Sequence, residues 1–162
     1  MSIARPSPGF AFSHPAHAIA LGFGAGLSPY APGTVGTLVA WPLGWYAGTV
    51  MPAALLAAAI APLFVLGVWA CALTGRDLGV ADHRAMVWDE IVAFLLVLAI
   101  VPRALGWQAA AFVLFRFFDI AKPPPIRALE RRYHGGFGVM IDDLLAAGYT
   151  LLVLAAAERL LG

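Results

Sequence analysis

The chain carries no Asp, Glu, Lys or Arg between Pro6 and Gly75, and this charge-free run constrains its fold more than any other feature. Soluble domains hold about 25% charged residues, spread over their surface. Here the charged fraction is 12% and the hydrophobic fraction is 62%. The sequence therefore predicts a protein with much of its surface in lipid. Its net charge of +1 provides no basic excess for a nucleic-acid partner.

Apolar stretches follow one another along the chain with little of the period-two alternation that strands show. They cover residues 36–50, 53–74, 91–101, 104–115 and 144–157. Pro52 and Pro102 mark tight connections, while Pro42 and Pro62 are expected to kink or locally break the first two stretches. Only the second stretch reaches the length of about 20 residues that a spanning helix needs. We predict an all-α fold: a compact helical membrane bundle of about five to six helices, several short or kinked, in a single domain over 1–162.

The polar segments between these stretches are predicted to meet on one side of the bundle. If each stretch crosses the bilayer once, segments 22–34, 76–90 and 116–143 all emerge together. Of the ten basic residues, only Arg103 and Arg159 then lie on the other side. The positive-inside rule makes the polar side cytoplasmic. We therefore expect a multi-pass protein whose polar loops share one cytoplasmic face.

Two pairs of adjacent acids, Asp89-Glu90 and Asp142-Asp143, precede apolar stretches on this side. Helix capping explains one acid at a helix N-terminus, where it contributes about 0.3–1 kcal/mol. Repeated pairs at a membrane boundary are costly unless a cation compensates them. Mg²⁺ prefers oxygen ligands such as carboxylates, and the single cysteine, Cys71, excludes a cysteine-based zinc site. Adjacent residues on a helix point about 100° apart, so each pair can offer one ligand to the metal and one group to a water or a cation. We predict that the two pairs bind Mg²⁺ in this way.

A glycine-rich segment runs from Gly22 to Thr37. Glycines let a backbone approach phosphate closely, and Thr34 offers a hydroxyl donor. Tight packing in a loop at the membrane edge is the alternative explanation, and spacing alone does not decide between the two.

Other polar side chains on this side have a functional and an ordinary explanation. Arg116 and Asp119 are spaced as a helix-surface ion pair, and the cluster of basic residues around Arg127 suits anionic lipid headgroups or solvent. His83 and His134 have an ordinary explanation as polar loop residues.

Together these motifs make the chain resemble the bacterial phosphatidylglycerophosphatase A family. The matching elements are Gly22-Phe-Gly-Ala-Gly-Leu-Ser-Pro29, Pro32-Gly-Thr34, Val87-Trp-Asp-Glu90, Phe115-Arg116 through Asp119, Lys122-Pro-Pro-Pro-Ile-Arg127 and His134-Gly-Gly-Phe-Gly-Val-Met-Ile-Asp-Asp143. The resemblance implies Mg²⁺-dependent hydrolysis of phosphatidylglycerophosphate to phosphatidylglycerol and phosphate. It also implies an all-helical fold in the inner membrane and an anionic phospholipid as the partner.

Under this hypothesis Asp89, Glu90, Asp142 and Asp143 hold the metal or position water. The phosphate charge is neutralised by Arg116, Lys122 and Arg127, and Thr34 contacts the substrate. Asp119 orients Arg116 or joins the metal ligands. The leaving alkoxide is protonated by His83 or His134, and the sequence does not choose between them.

A small helical membrane transporter or channel subunit is the alternative function, because it would use the same acidic cluster to pass ions. The gathering of charge at one face, instead of along a path through the bilayer, favours the enzyme. The sequence leaves the oligomeric state open.

Overall fold

The computed structural model describes residues 5–161, without the side chains of Glu130 and Leu161. This part of the chain contains helices and no strand, so the all-α prediction is confirmed. Five helices have 13 residues or more: α3, α4, α5, α6 and α8. The helices are α1 Pro8–Ala11, α2 Pro15–Ala20, α3 Pro32–Val50, α4 Ala53–Leu78, α5 Trp88–Ile100, α6 Leu105–Ala121, α7 Ile126–Arg132 and α8 Gly135–Leu161, with a 3₁₀ segment over Gly22–Leu27.

Helix α5 forms the centre of the bundle and contacts α3, α4, α6 and α8. It is apolar on every side, and a helix of that kind is stable only where it is enclosed. Val92, Phe94 and Val97 have no exposed surface. The Phe94 ring packs edge-on against Trp41 of α3, with ring centroids 6.3 Å apart. These contacts fix α5, and with it the acidic pair at its N-terminal end.

The helices around α5 turn large apolar side chains outward. Exposed examples on α3, α4, α6 and α8 include Leu43, Trp45, Tyr46, Leu55, Val65, Val113, Phe117 and Leu152. A surface helix of a soluble protein typically carries charged and polar residues on its outer face. Two helices, Ala53–Leu78 and Gly135–Leu160, are long and apolar enough to cross a bilayer. The outer surface and these two helices indicate a membrane protein.

Several helices extend further than the apolar stretches predict. Helix α8 begins at Gly135 rather than at residue 144, because its first turn packs directly on α4: a Cβ atom at Gly136 would overlap the Val68 carbonyl. Asp142 and Asp143 therefore lie well inside α8, where capping of a helix N-terminus does not explain them. Helices α3 and α4 continue without a break through their internal prolines.

Candidate active site

The three polar segments meet in a pocket of about 260 Å³ at one end of the bundle. The N-terminus of α3, the loop between α4 and α5, the first turn of α5, the end of α6 and the interior of α8 all contribute. The lining residues are Ala31, Pro32, Gly33, Asp82, Arg84, Met86, Asp89, Glu90, Arg116, Asp119, Lys122, Val139, Asp142 and Asp143. The bundle thus assembles on one face the motifs that the sequence separates.

Three carboxylates form the centre of this pocket. One oxygen each from Asp89, Glu90 and Asp143 lies within 4.8 Å of the other two. Asp89 is 8% exposed and Asp143 is 4% exposed, while the Glu90 side chain is 12% exposed. The packing of α5 against α8 brings these groups together. Three clustered acids with so little access to water require compensation from another charge or from bound protons.

Each of these carboxylates also has a buried oxygen without a hydrogen-bond partner in the described part of the chain: Asp89 Oδ1, Glu90 Oε2 and Asp143 Oδ2. Leaving one buried polar atom unsatisfied costs about 1–3 kcal/mol, and more for a charged group. A divalent cation that prefers oxygen ligands would satisfy all three oxygens at once. The donor set therefore fits Mg²⁺ or a cation of similar chemistry.

The first turn of α5 lies outside the two helices of spanning length, and its acids hold their protons unusually tightly. Burial raises the pKa of Asp89 well above its ordinary value, and the charge of Glu90 adds to the effect. Burial, followed by the charge of Asp143, raises the pKa of Glu90 to about 8, while the Arg116 guanidinium acts in the opposite direction. Without a bound cation, the pair is therefore costly to ionise at neutral pH.

Two cationic side chains face the carboxylates. Arg116 Nη1 lies 2.6 Å from Asp119 Oδ2 and 3.6 Å from Glu90 Oε1. Lys122 Nζ donates a hydrogen bond to Asp142 Oδ2 over 3.2 Å. The second acidic pair thus divides its contacts, because Asp143 joins the carboxylate group while Asp142 meets a lysine.

The glycine-rich segment reaches the pocket through the N-terminus of α3. A Cβ atom at Gly33 would overlap Glu90 Oε1, so the glycine provides the space that the carboxylate occupies. Ala31 precedes the helix in a left-handed conformation with φ 41°, and Lys122 adopts φ 43° at the end of α6. Such backbone strain in non-glycine residues is concentrated at functional sites.

Four residues predicted from sequence do not line the pocket. Thr34 is half-buried on α3 beside Gly33. His83 is buried, and its Nδ1 accepts a hydrogen bond from the Ala85 N–H over 3.1 Å. His134 is exposed, and so is Arg127, whose guanidinium donates to the Ala121 carbonyl.

Asp82 and Arg84 line the pocket but were not among the predicted site residues. Both belong to the segment 76–90 that leads to Asp89-Glu90, and this proximity is the sequence signal that could have identified them. Their loop conformation, which the sequence pattern does not specify, turns them toward the acids.

Fold and site together define an all-helical membrane protein with a carboxylate-rich pocket suited to a cation and a phosphate group. The family model for phosphatidylglycerophosphatase A matches residues 18–158, and the chain belongs to that family. It is therefore a hydrolase of the phosphatase class.

Curated relatives agree with this assignment. A phosphatidylglycerophosphatase A of Haemophilus influenzae is 46% identical over 147 residues, covering 90% of each chain. One of Escherichia coli is 45% identical over 135 residues, which cover 83% of this chain and 78% of the relative. A Bacteroides thetaiotaomicron relative, provisionally named a phosphatidylinositol-3-phosphatase, is 39% identical over 89% of this chain and 94% of its own. No solved structure matches the chain significantly.

Proposed function

We propose that the chain hydrolyses the phosphate monoester of phosphatidylglycerophosphate to phosphatidylglycerol and phosphate, with Mg²⁺ as the cofactor. The observation that carries this proposal is the buried group of Asp89, Glu90 and Asp143 beside two cations in one pocket. The names of the two relatives at 45–46% identity support the choice of substrate.

The charge of the pocket supports the cofactor. Six acidic and three basic residues line it, which gives a formal charge of −3 when all are ionised. A phosphate monoester is itself an anion, so it would be repelled from such a pocket unless a cation were present. Asp89, Glu90 and Asp143 would hold Mg²⁺, which when bound polarises phosphoryl oxygens and lowers the pKa of water.

The protein's own side chains would bind and orient the phosphate. Arg116 and Lys122 donate to its oxygens, and Asp119 keeps the Arg116 guanidinium in place through its 2.6 Å contact. The N-terminus of α3 at Gly33 adds a favourable dipole. A role for a histidine in protonating the leaving alkoxide stays a prediction, since neither His83 nor His134 lines the pocket.

The size of the pocket limits what enters it. Its volume of about 260 Å³ is below the roughly 300–1,000 Å³ of ordinary small-molecule sites. We infer that only the terminal headgroup enters, while the acyl chains stay beside the apolar outer faces of the bundle.

We propose further that the protein spans a bacterial inner membrane several times with this pocket toward the cytoplasm. All but two of the ten basic residues belong to the segments on the pocket side. Cys71 is fully buried, so cysteines introduced elsewhere can be labelled selectively. In sealed inverted vesicles, a membrane-impermeant maleimide should label Arg131→Cys and spare Arg159→Cys; the reverse pattern would refute the orientation.

The activity is tested by phosphate release from purified protein in detergent. Phosphatidylglycerophosphate should be hydrolysed in the presence of Mg²⁺, and chelation should abolish the reaction. Asp89→Asn should lose activity, whereas Glu158→Gln, an exposed acid on α8, should retain it. Phosphatidylinositol 3-phosphate is the comparison substrate, because one relative is provisionally named a phosphatidylinositol-3-phosphatase. Faster hydrolysis of the inositol lipid would refute phosphatidylglycerophosphate as the preferred substrate. Ion passage without phosphate release would favour the alternative function as a transporter or channel subunit.

A further inference from the structure

The N-terminal part of the chain packs against the segment that carries the acidic pair. Ala11 and Leu21 form a small buried cluster with Ala85. The Ala20 carbonyl, at the end of α2, accepts a hydrogen bond from the Val87 N–H over 2.8 Å. Val87 lies two residues before Asp89 and precedes the first residue of α5. The start of α5 is thus fixed by a backbone contact from α2.

Close packing reinforces this contact. Gly22 adopts φ 55°, a conformation that favours glycine, and a Cβ atom there would come within 2.7 Å of Val87. A Cβ atom at Gly36 of α3 would approach Val87 to 2.8 Å as well. Val87 itself is fully buried. Since there is so little free space, a shift of α2 would be transmitted to the first turn of α5.

A buried histidine attaches α2 to α4. His17 is 4% exposed. Its Nδ1 lies 3.1 Å from Thr74 Oγ1, and its Nε2 lies 3.4 Å from Asp77 Oδ2. The two partners are three residues apart on α4 and so share one face of that helix. The Phe10 ring stacks on the imidazole, with centroids 4.2 Å apart.

These contacts suit the neutral imidazole. With its proton on Nε2, His17 turns that N–H toward the Asp77 carboxylate 3.4 Å away and accepts a hydrogen bond from the Thr74 hydroxyl at Nδ1, so both ring nitrogens face a polar group. Burial lowers the pKa of His17, against the opposite effect of Asp77. The group lies outside the pocket and takes no part in the proposed hydrolysis.

We propose that His17 is a positioning residue for the metal site. Its contacts with Thr74 and Asp77 fix α2 on α4, and the Ala20 carbonyl then fixes Val87 and the acids that follow it. The inference rests on the proposed function, because it treats Asp89 and Glu90 as metal ligands. Groups that orient metal ligands typically change metal affinity or activity by about 10–100-fold when removed.

The test measures equilibrium binding of Mn²⁺ to the full-length protein in detergent, through loss of the free Mn²⁺ paramagnetic resonance signal. His17→Ala should weaken Mn²⁺ binding by about 10-fold or more and lower kcat similarly, with KM for the lipid within about 2-fold. His17→Gln keeps a donor for Asp77 and should recover part of the loss.

His14→Asn is the matched control. His14 is the exposed N-cap of α2, where its Nδ1 accepts from the Ala16 N–H, and asparagine caps equally well. This variant should bind Mn²⁺ like the wild type. If His17→Ala fails to fold, Thr74→Val tests the positioning role in its place, because it removes one hydroxyl and little volume. The positioning role predicts that this variant binds Mn²⁺ more weakly than the wild type.

The two proposals fail in different ways. If the wild type binds Mn²⁺, Asp89→Asn does not, and the His17 and Thr74 variants bind as the wild type does, the positioning role is refuted and the proposed function stands. If the wild type binds no Mn²⁺, the proposed metal site is refuted, and the role of His17 is refuted with it.

Discussion

Asp89 of α5 and Asp143 of α8 are far apart in sequence, yet their carboxylates come together in the same buried group, with Glu90 as the third member. Each retains a buried oxygen without a hydrogen-bond partner in residues 5–161. Two acids from different helices in such a position repel each other. We interpret this repulsion, together with the unsatisfied oxygens, as the consequence of a site that binds a cation.

The first prediction concerns the acids themselves. Asp143→Asn keeps the shape of the side chain but removes a metal ligand, so hydrolysis should fall by at least about 100-fold. In the absence of metal, the same change removes repulsion with Asp89, so the protein should unfold at the same or a higher temperature. Phosphate release and thermal unfolding in chelator measure the two effects. Lower stability together with lower activity would indicate a structural role instead.

The second prediction concerns Arg116. Lysine keeps the charge but cannot present the planar fork that meets a carboxylate and a phosphate together. Arg116→Lys should therefore reduce kcat/KM by about 10²-fold or more. Arg131→Lys, on the exposed surface of α7, is the control and should have no effect. Full activity in Arg116→Lys would show that only charge matters at this position.

The third prediction concerns Gly33. A methyl group there would displace the Glu90 carboxylate and would also lie 3.2 Å from Arg116 Nη1. Gly33→Ala should weaken Mg²⁺ activation by about 10-fold or more while the protein still folds. Gly148→Ala is the matched control, because a Cβ atom at Gly148 in α8 meets nothing within 4 Å. That control should keep its activity and gain about 0.5–1 kcal/mol of stability.

The fourth prediction is a pH dependence of stability. The pKa of Glu90 is raised from 4.5 to about 8 in the folded chain, so the folded state binds this proton more tightly than the unfolded state does. The free energy of unfolding of the metal-free protein should therefore fall as pH rises from about 4.5 to about 8. Saturating Mg²⁺ replaces the proton and should remove or reverse the fall.

Thermal unfolding across that range, with chelator or with Mg²⁺, measures this dependence. Glu90→Gln carries no titrating group at the position and should show a flatter profile in chelator. Identical profiles with and without Mg²⁺ would contradict the linkage between protonation and metal binding.

Much of the fold could be predicted from the sequence, because hydrophobic stretches specify helices directly. Pro52 precedes α4, and Pro102 lies between α5 and α6, as predicted. The beginning of α8 could not be predicted, because the glycines at 135 and 136 are typical of loops in isolation. Gly136 is helical here because its missing Cβ atom allows α8 to approach Val68 of α4 closely.

The site was predictable where residues of like chemistry are adjacent, as in Asp89-Glu90. Its details depend on helix packing. Nothing local in the sequence indicates that Asp142 meets Lys122 while Asp143 joins the carboxylate group. The role of His17 is equally hidden, because its partners lie on a helix that begins far along the chain.

The proposed chemistry requires that Asp89, Glu90 and Asp143 together bind a divalent cation. Anomalous diffraction from crystals of the full-length protein soaked with Mn²⁺ tests it most directly. We expect one peak bonded to oxygens of all three side chains, at roughly the 2.0–2.1 Å of hard-cation coordination or slightly longer. A peak bonded to other residues would contradict this proposal. So would the absence of a peak at these carboxylates in crystals soaked with saturating Mn²⁺.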